Sequence, residues 1–144
     1  NQPTPAPGDW RYLYFSNPGP SCLLDYCDIR YGGYTDGNVS IVSTYENLTI
    51  SNCTIESSAT AGIRVFQYSS PTITGCTIRG NASYGINCYR TSGSNPNPFI
   101  SDCEVLDNGG YAMAVYANNV GDITGTMTIT GNSPNAIYVW GATV

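Results

Sequence analysis

The sequence predicts an all-β chain wound into a parallel β-helix, a solenoid of about five coils with three short strands per coil. Two observations carry this. Cys27, Cys53, Cys76 and Cys103 recur at spacings of 26, 23 and 27 residues, and each begins the same phrase, Cys-x-Ile or Cys-x-Val. Ten residues after each of the last three comes an apolar pair: Ile63 and Val65, Ile86 and Cys88, Met113 and Val115. Self-similarity at such a period marks a stack of one repeated unit. Apolar residues are spaced by two within segments and the joints are Ser, Asn, Gly, Asp and Thr, so no helix fits.

The coils follow in order. Leu13 and Phe15 match the third-strand pair of a partial coil, Leu13 standing 14 residues before Cys27. The first full coil runs through Cys22, Leu24, Cys27 and Ile29 and is looser, with Cys27 standing 12 before Val39. In the second, Leu48 and Ile50 face inward, Ser51 and Asn52 turn a corner, Cys53 and Ile55 make another strand, and Gly62 to Val65 a third. Pro71 and Ile73 open the third coil, Pro98 and Ile100 the fourth. Met127 stands 10 before Ile137 and so takes the cysteine position of a fifth coil, whose last strand carries Ile137 and Val139. Ile123 lies four before Met127 where other coils have three, which predicts a one-residue bulge. Residues 1–9 read as a Pro-rich extension, 10–144 as the β-helix domain, and 91–97 as a protruding loop. A single coil cannot bury its own face; stacking at ~4.8 Å aligns like residues in ladders.

The 144 residues hold ten acidic residues against five arginines, with neither lysine nor histidine. That weakly charged, acidic surface argues against nucleic acid as a partner. No run of 18 apolar residues exists, so nothing spans a membrane as a helix. The chain starts at Asn1 without a signal peptide, as a processed or excised chain would.

Six cysteines invite a disulfide reading, but all six fall on inward columns. In-register parallel neighbours hold Cβ atoms near ~4.8 Å apart, longer than the ~3.8 Å a bridge prefers. The core ladder Cys27, Cys53, Cys76, Cys103 and Met127 therefore reads as free thiols packed as small apolar fillers, with one or two bridges near Cys22 as the alternative. A metal site lacks histidine and Cys-x-x-Cys. Outside, Arg30, Glu56 and Arg79 form a row of alternating charge, which reads as a solvated ladder. Val42, Phe66, Tyr89, Tyr116 and Trp140 stand three residues after the third-strand apolar residue. They form either an exposed stripe suited to sugar rings or another protein, or rings packed on one another. Asp36-Gly37 and residues 107–110 read as turns, with loose calcium binding as the alternative. Sequons stand at Asn38, Asn47, Asn52 and Asn81.

From Trp10 to Trp140 this Cys-x-Ile ladder resembles the right-handed parallel β-helix proteins of the pectin-lyase-like superfamily. Gly8 to Phe15, with Trp10, is similar to the strand that precedes Leu24 to Gly33 in secreted bacterial and archaeal members. The resemblance implies right-handedness and an extracellular or cell-surface location. Polygalacturonase-like members need clustered aspartates with His and Lys or Arg, and His and Lys are lacking here. Pectate-lyase-like members use acidic calcium ligands on one face, whereas Asp28 and Glu104 share a column but are separated by Thr54 and Thr77.

At the ends, Pro3, Pro5 and Pro7 alternate with Thr4 and Ala6 along one strand edge. That segment folds over its own first coil or adds to a neighbouring subunit. The sequence reading is therefore a non-enzymatic extracellular structural protein that assembles with itself, head to tail, through Leu13 and Phe15 at one end and Ile137, Val139 and Trp140 at the other. A polysaccharide-binding module is the alternative, and a lyase or epimerase the third.

Overall fold

The computed structural model describes residues 3–19, 21–42, 48–89, 96–116, 123–133 and 137–140, the side chains of Tyr116 and Trp140 excepted. Asn47, most of the loop expected at 91–97, and residues 141–144 lie outside these.

After β1 (Leu13–Ser16) the chain repeats a triplet of strands. The first strands are β2 (Cys22–Asp25), β5 (Leu48–Ser51), β8 (Thr72–Thr74), β11 (Phe99–Ser101) and β14 (Ile123–Thr124). The second are β3 (Asp28–Arg30), β6 (Thr54–Glu56), β9 (Thr77–Arg79), β12 (Glu104–Leu106) and β15 (Thr128–Thr130). The third are β4 (Gly37–Val42), β7 (Ala61–Phe66), β10 (Ile86–Tyr89), β13 (Met113–Tyr116) and β16 (Ile137–Trp140). Like strands stack in parallel: six in sheet A, from β1 to β16, and five each in sheets B and C. All described strands belong to this three-sided shaft.

The register follows the apolar columns. Leu13, Val39, Ile63, Ile86, Met113 and Ile137 align in sheet A, and Ile50, Ile73, Ile100 and Ile123 in sheet B. Glu104 pairs with Thr128, which places Met127 above Cys103. Thr126 is the extra residue expected there: β14 ends at Thr124, Gly125 turns, and Thr126 N donates to Asp102 Oδ1 at 2.9 Å. Ile41, Ile50, Ile63, Ile73 and Ile86 are wholly buried, each such side chain contributing about 1.5–3 kcal/mol.

The coils turn at single left-handed residues. Before sheet C these are Tyr26, Asn52, Gly75, Asp102 and Gly125; after it they are Tyr31, Ser57, Gly80, Asp107 and Gly131, all with φ between 50° and 70°. One such residue reverses the side-chain parity and redirects the strand without a loop.

The second corner contains an asparagine ladder that the sequence reading did not find. Asn81 Nδ2 donates to Asn108 Oδ1 at 2.9 Å, and Asn108 Nδ2 to Asn132 Oδ1 at 2.8 Å. Their amides also join successive coils, as in Asn108 Nδ2 to the Ile78 carbonyl at 3.3 Å. Ser58 and Gly32 hold the equivalent places lower down, five residues after Cys53 and Cys27. Asn38 fills the gap from the start of β4: it accepts from Gly32 N at 2.8 Å and donates to the Glu56 carbonyl at 2.8 Å. Two of the sequon asparagines are built into this corner. Asn38 and Asn81 are buried and fully engaged, so a sugar on either would dismantle the corner. Asn52 is exposed, although its Nδ2 donates to Asp25 at 2.9 Å.

All six cysteines are free. The extension meets the first coil through its last two residues and Trp10. Gly8 N and Asp9 N donate to the Tyr31 carbonyl at 2.9 Å, and Trp10 Nε1 donates to the Arg30 carbonyl at 2.7 Å while its ring packs on the core. Ala6 N donates to Asp9 Oδ2 at 2.8 Å; Pro3, Thr4, Pro5 and Pro7 are exposed.

Candidate functional site

In sheet A, alternation places Ile63 and Val65 inside and Arg64 and Phe66 outside. Stacking turns each outward position into a row along the shaft. One row reads Tyr14, Ser40, Arg64, Asn87, Ala114 and Tyr138. Large rings stand at both ends and small or polar groups between them, over five steps of ~4.8 Å, or ~24 Å. The neighbouring row is the predicted stripe: Val42, Phe66 and Tyr89 are in register, and Tyr116 pairs with Trp140. Phe66 and Tyr89 face outward and also meet edge to face with centroids 5.9 Å apart.

A second set of rings escaped the sequence reading. Tyr84 stacks on Tyr111 at 5.9 Å, and Tyr111 on Tyr138 at 4.7 Å. The signal was present, since Tyr84 and Tyr111 each stand two residues before the third-strand apolar residue. Tyr138 leaves that column, which hides the ladder from simple counting. Tyr84, Tyr89 and Tyr138 line a hollow of about 310 Å³ together with Arg64, Asn87 and Ala114. A second hollow of about 340 Å³ lies between Tyr12, Tyr14, Ser40, Val42 and Phe66. Asp36 borders both this hollow and a third of about 220 Å³ that it shares with Arg64, Tyr84 and Asn87.

Arg64 sits at the centre. Its guanidinium lies 4.3 Å from the Phe66 centroid and pairs with Asp36 through Nη1. Asp36 is the only carboxylate among the described residues lining the three hollows. The trough therefore offers rings, amide and hydroxyl groups, and one neutralised ion pair.

The other predicted sites lie elsewhere. Arg30, Glu56 and Arg79 do stack on sheet C, with Glu56 3.0 Å from Arg30 and 2.6 Å from Arg79; Asp28 also pairs with Arg30. Within the thiol ladder, the hydrogen bond with Cys103 and then burial push the Cys76 thiol up; outside it, in the column of Val65, burial pushes Cys88 up to about 12. Of the turns read as loose calcium loops, one has its Asp36 carboxylate held by Arg64 and the other gives its Asn108 amide to the ladder. Among the described residues no three His, Cys, Asp or Glu converge on a point.

Three stacked sheets, single-residue corners and an inward apolar ladder define a three-sided parallel β-solenoid. The chain belongs to the right-handed β-helix family, whose description, right handed beta helix region, matches residues 11–144. The pectin-lyase-like resemblance agrees with that membership. Comparison with curated proteins and with solved structures finds no match.

Proposed function

We propose that this β-helix is an extracellular polysaccharide-binding module and that the outer trough of sheet A is its binding surface. The observation that carries the reading is the trough's make-up: aromatic walls at Tyr84, Tyr89 and Tyr138 around polar Asn87 and Arg64. A sugar ring has apolar faces and a polar edge, so a hollow lined by aromatic rings together with an amide and a guanidinium offers partners to both. A single carboxylate, already paired with Arg64, supplies no acid and base pair, so binding is the activity this geometry supports. Hydroxyl- and amide-rich outer columns and the family resemblance support the extracellular placement. Affinity electrophoresis against a panel of polysaccharides tests the reading. Tyr89→Ala and Tyr84→Ala should each weaken binding about two- to tenfold, the range that one aromatic contact accounts for. Binding that ignores both substitutions, or no binding across the panel, would end it.

Head-to-tail assembly, placed first on sequence grounds, becomes the second reading because Gly8, Asp9 and Trp10 already occupy part of the first coil. One observation favours it: Ile137 and Val139 are 40% and 53% exposed although their columns are buried in the coil below.

A further inference from the structure

Hydrogen bonds and packing hold the coils together, and the commoner covalent ties lack their materials. All six cysteines are free, and the chain has no lysine from which an amide cross-link could form. It does hold twelve tyrosines. The last layer is the least supported, because among the described strands β14, β15 and β16 each end their sheet and pair on one side only. Two tyrosines meet across that last step. Tyr111, half-buried, precedes β13, and Tyr138, 42% exposed, lies in β16. Their planes are 27° apart and their centroids 4.7 Å, so ring carbons of one lie against those of the other. The pair below, Tyr84 and Tyr111, is wider at 5.9 Å, and both its rings are half-buried. Tyr12 and Tyr14 are also 5.9 Å apart, but they stand in one segment, so a link there would tie no two layers.

We propose that Tyr111 and Tyr138 form an oxidative cross-linking site, at which a peroxidase with hydrogen peroxide joins the last coil covalently to the one below. Each phenol gives up one electron and one proton and becomes a phenoxyl radical. The ring carbons ortho to the two oxygens then form a carbon–carbon bond, and the hydrogens they carried pass to the oxygens, which restores both phenols. Hydrogen peroxide takes up the two electrons and two protons, its O–O bond breaks, and two waters leave. Tyr138 gives the oxidant access from solvent, and Tyr111 is already against it. Coupling within the chain is therefore effectively unimolecular and outruns coupling between chains in dilute solution. Tyr138 stands 27 residues after Tyr111, and closing that loop takes freedom from the unfolded chain, which stabilises the folded one. The site works in the same way whatever the trough binds.

The test treats the dilute chain with a peroxidase and hydrogen peroxide, then follows dityrosine fluorescence, intact mass and a peptide map. The product should remain a single chain that is lighter by two hydrogens. That loss should persist under reductant, since a disulfide would also remove two hydrogens but would regain them. The map should join the peptide holding Tyr111 to the one holding Tyr138, and the thermal midpoint should rise by several degrees. Tyr138→Phe keeps the stacked ring but withholds the phenol, and should abolish the link. Tyr34→Phe removes a phenol from a side chain that is 66% exposed and should leave the link unchanged. A map that joins other tyrosines, cross-linked dimers as the main product, or an unaltered chain that yields no dityrosine overturns the proposal.

Discussion

At the scale of the residue, the sulfur of the inward ladder does more than fill space. Cys53 Sγ donates to the Ser51 carbonyl at 3.1 Å and accepts from Cys27 N at 3.5 Å; Cys103 Sγ donates to the Ser101 carbonyl at 3.2 Å. Met127 has no proton to give, yet its Sδ accepts from Cys103 N at 3.4 Å. A thiol thus ties each corner to its neighbour, and a disulfide would remove the donor. Burial has a titration consequence, clearest at Cys88, where it pushes the thiol up from 9.0 to about 12. Above pH 9 the unfolded chain releases a proton that the folded chain keeps until about pH 12. In that window the folded state binds more protons, so stability falls as pH rises, by about 1.4 kcal/mol per pH unit for each such thiol. Cys88→Val places the residue type of its register partner Val65 in the column and removes one titration. Urea unfolding under reductant between pH 9 and 11 should show a slope shallower by about that amount; an identical slope would refute the assignment.

At the scale of the element, strands and corners differ in how much of them is written in the sequence. Asn108 shows what a corner contains: it accepts from Asn81 N at 3.1 Å and Asn81 Nδ2 at 2.9 Å, and donates to the Ile78 carbonyl and Asn132. Asn108→Ala leaves Asn81 N and the Ile78 carbonyl buried without these partners. Urea titration should give a loss of about 2–4 kcal/mol, and a change below about 0.5 kcal/mol would show the ladder to be incidental. Strand register was legible because the shaft admits only apolar residues, so columns repeat in type and Met127 could be placed beside cysteines. The Asn ladder was less so, since Ser58 and Gly32 break its column and Asn38 reaches in from another strand. Left-handed Tyr26 and Tyr31 are unusual too, because φ > 0 favours Gly, Asn and Asp. For the trough, Phe66 and Tyr89 were visible as a column of like residues. Ser40, Arg64 and Asn87 share a row but no chemistry, so only stacking brings them together.

At the scale of the whole molecule, the shaft is a sequence of nearly equal layers, and each layer is completed by the one above it. Met113 and Val115 are 0% and 2% exposed beneath Ile137 and Val139, which are 40% and 53% exposed in the next layer. A further layer stacked there, from a continuing chain or from a second copy, would bury the same columns. In a solution of the 144-residue chain a second copy is available, and Leu13 and Phe15 of β1 carry the matching inward positions. Trp10 covers part of that first coil, which leaves the β1 edge rather than the whole face to receive a partner. Such a contact is heterologous and does not close, so mass should grow with concentration rather than stop at a dimer. Sedimentation velocity should therefore show a weight-average mass that rises steadily with concentration. Val139→Glu puts a charge into the joint and should return the chain to monomer, because a carboxylate enclosed between layers without a partner opposes stacking. Its thermal midpoint should stay close to that of the unaltered chain, since residue 139 is exposed in the single molecule. A chain that remains monomeric at every concentration would exclude end-to-end stacking while leaving the trough and its ligand untouched.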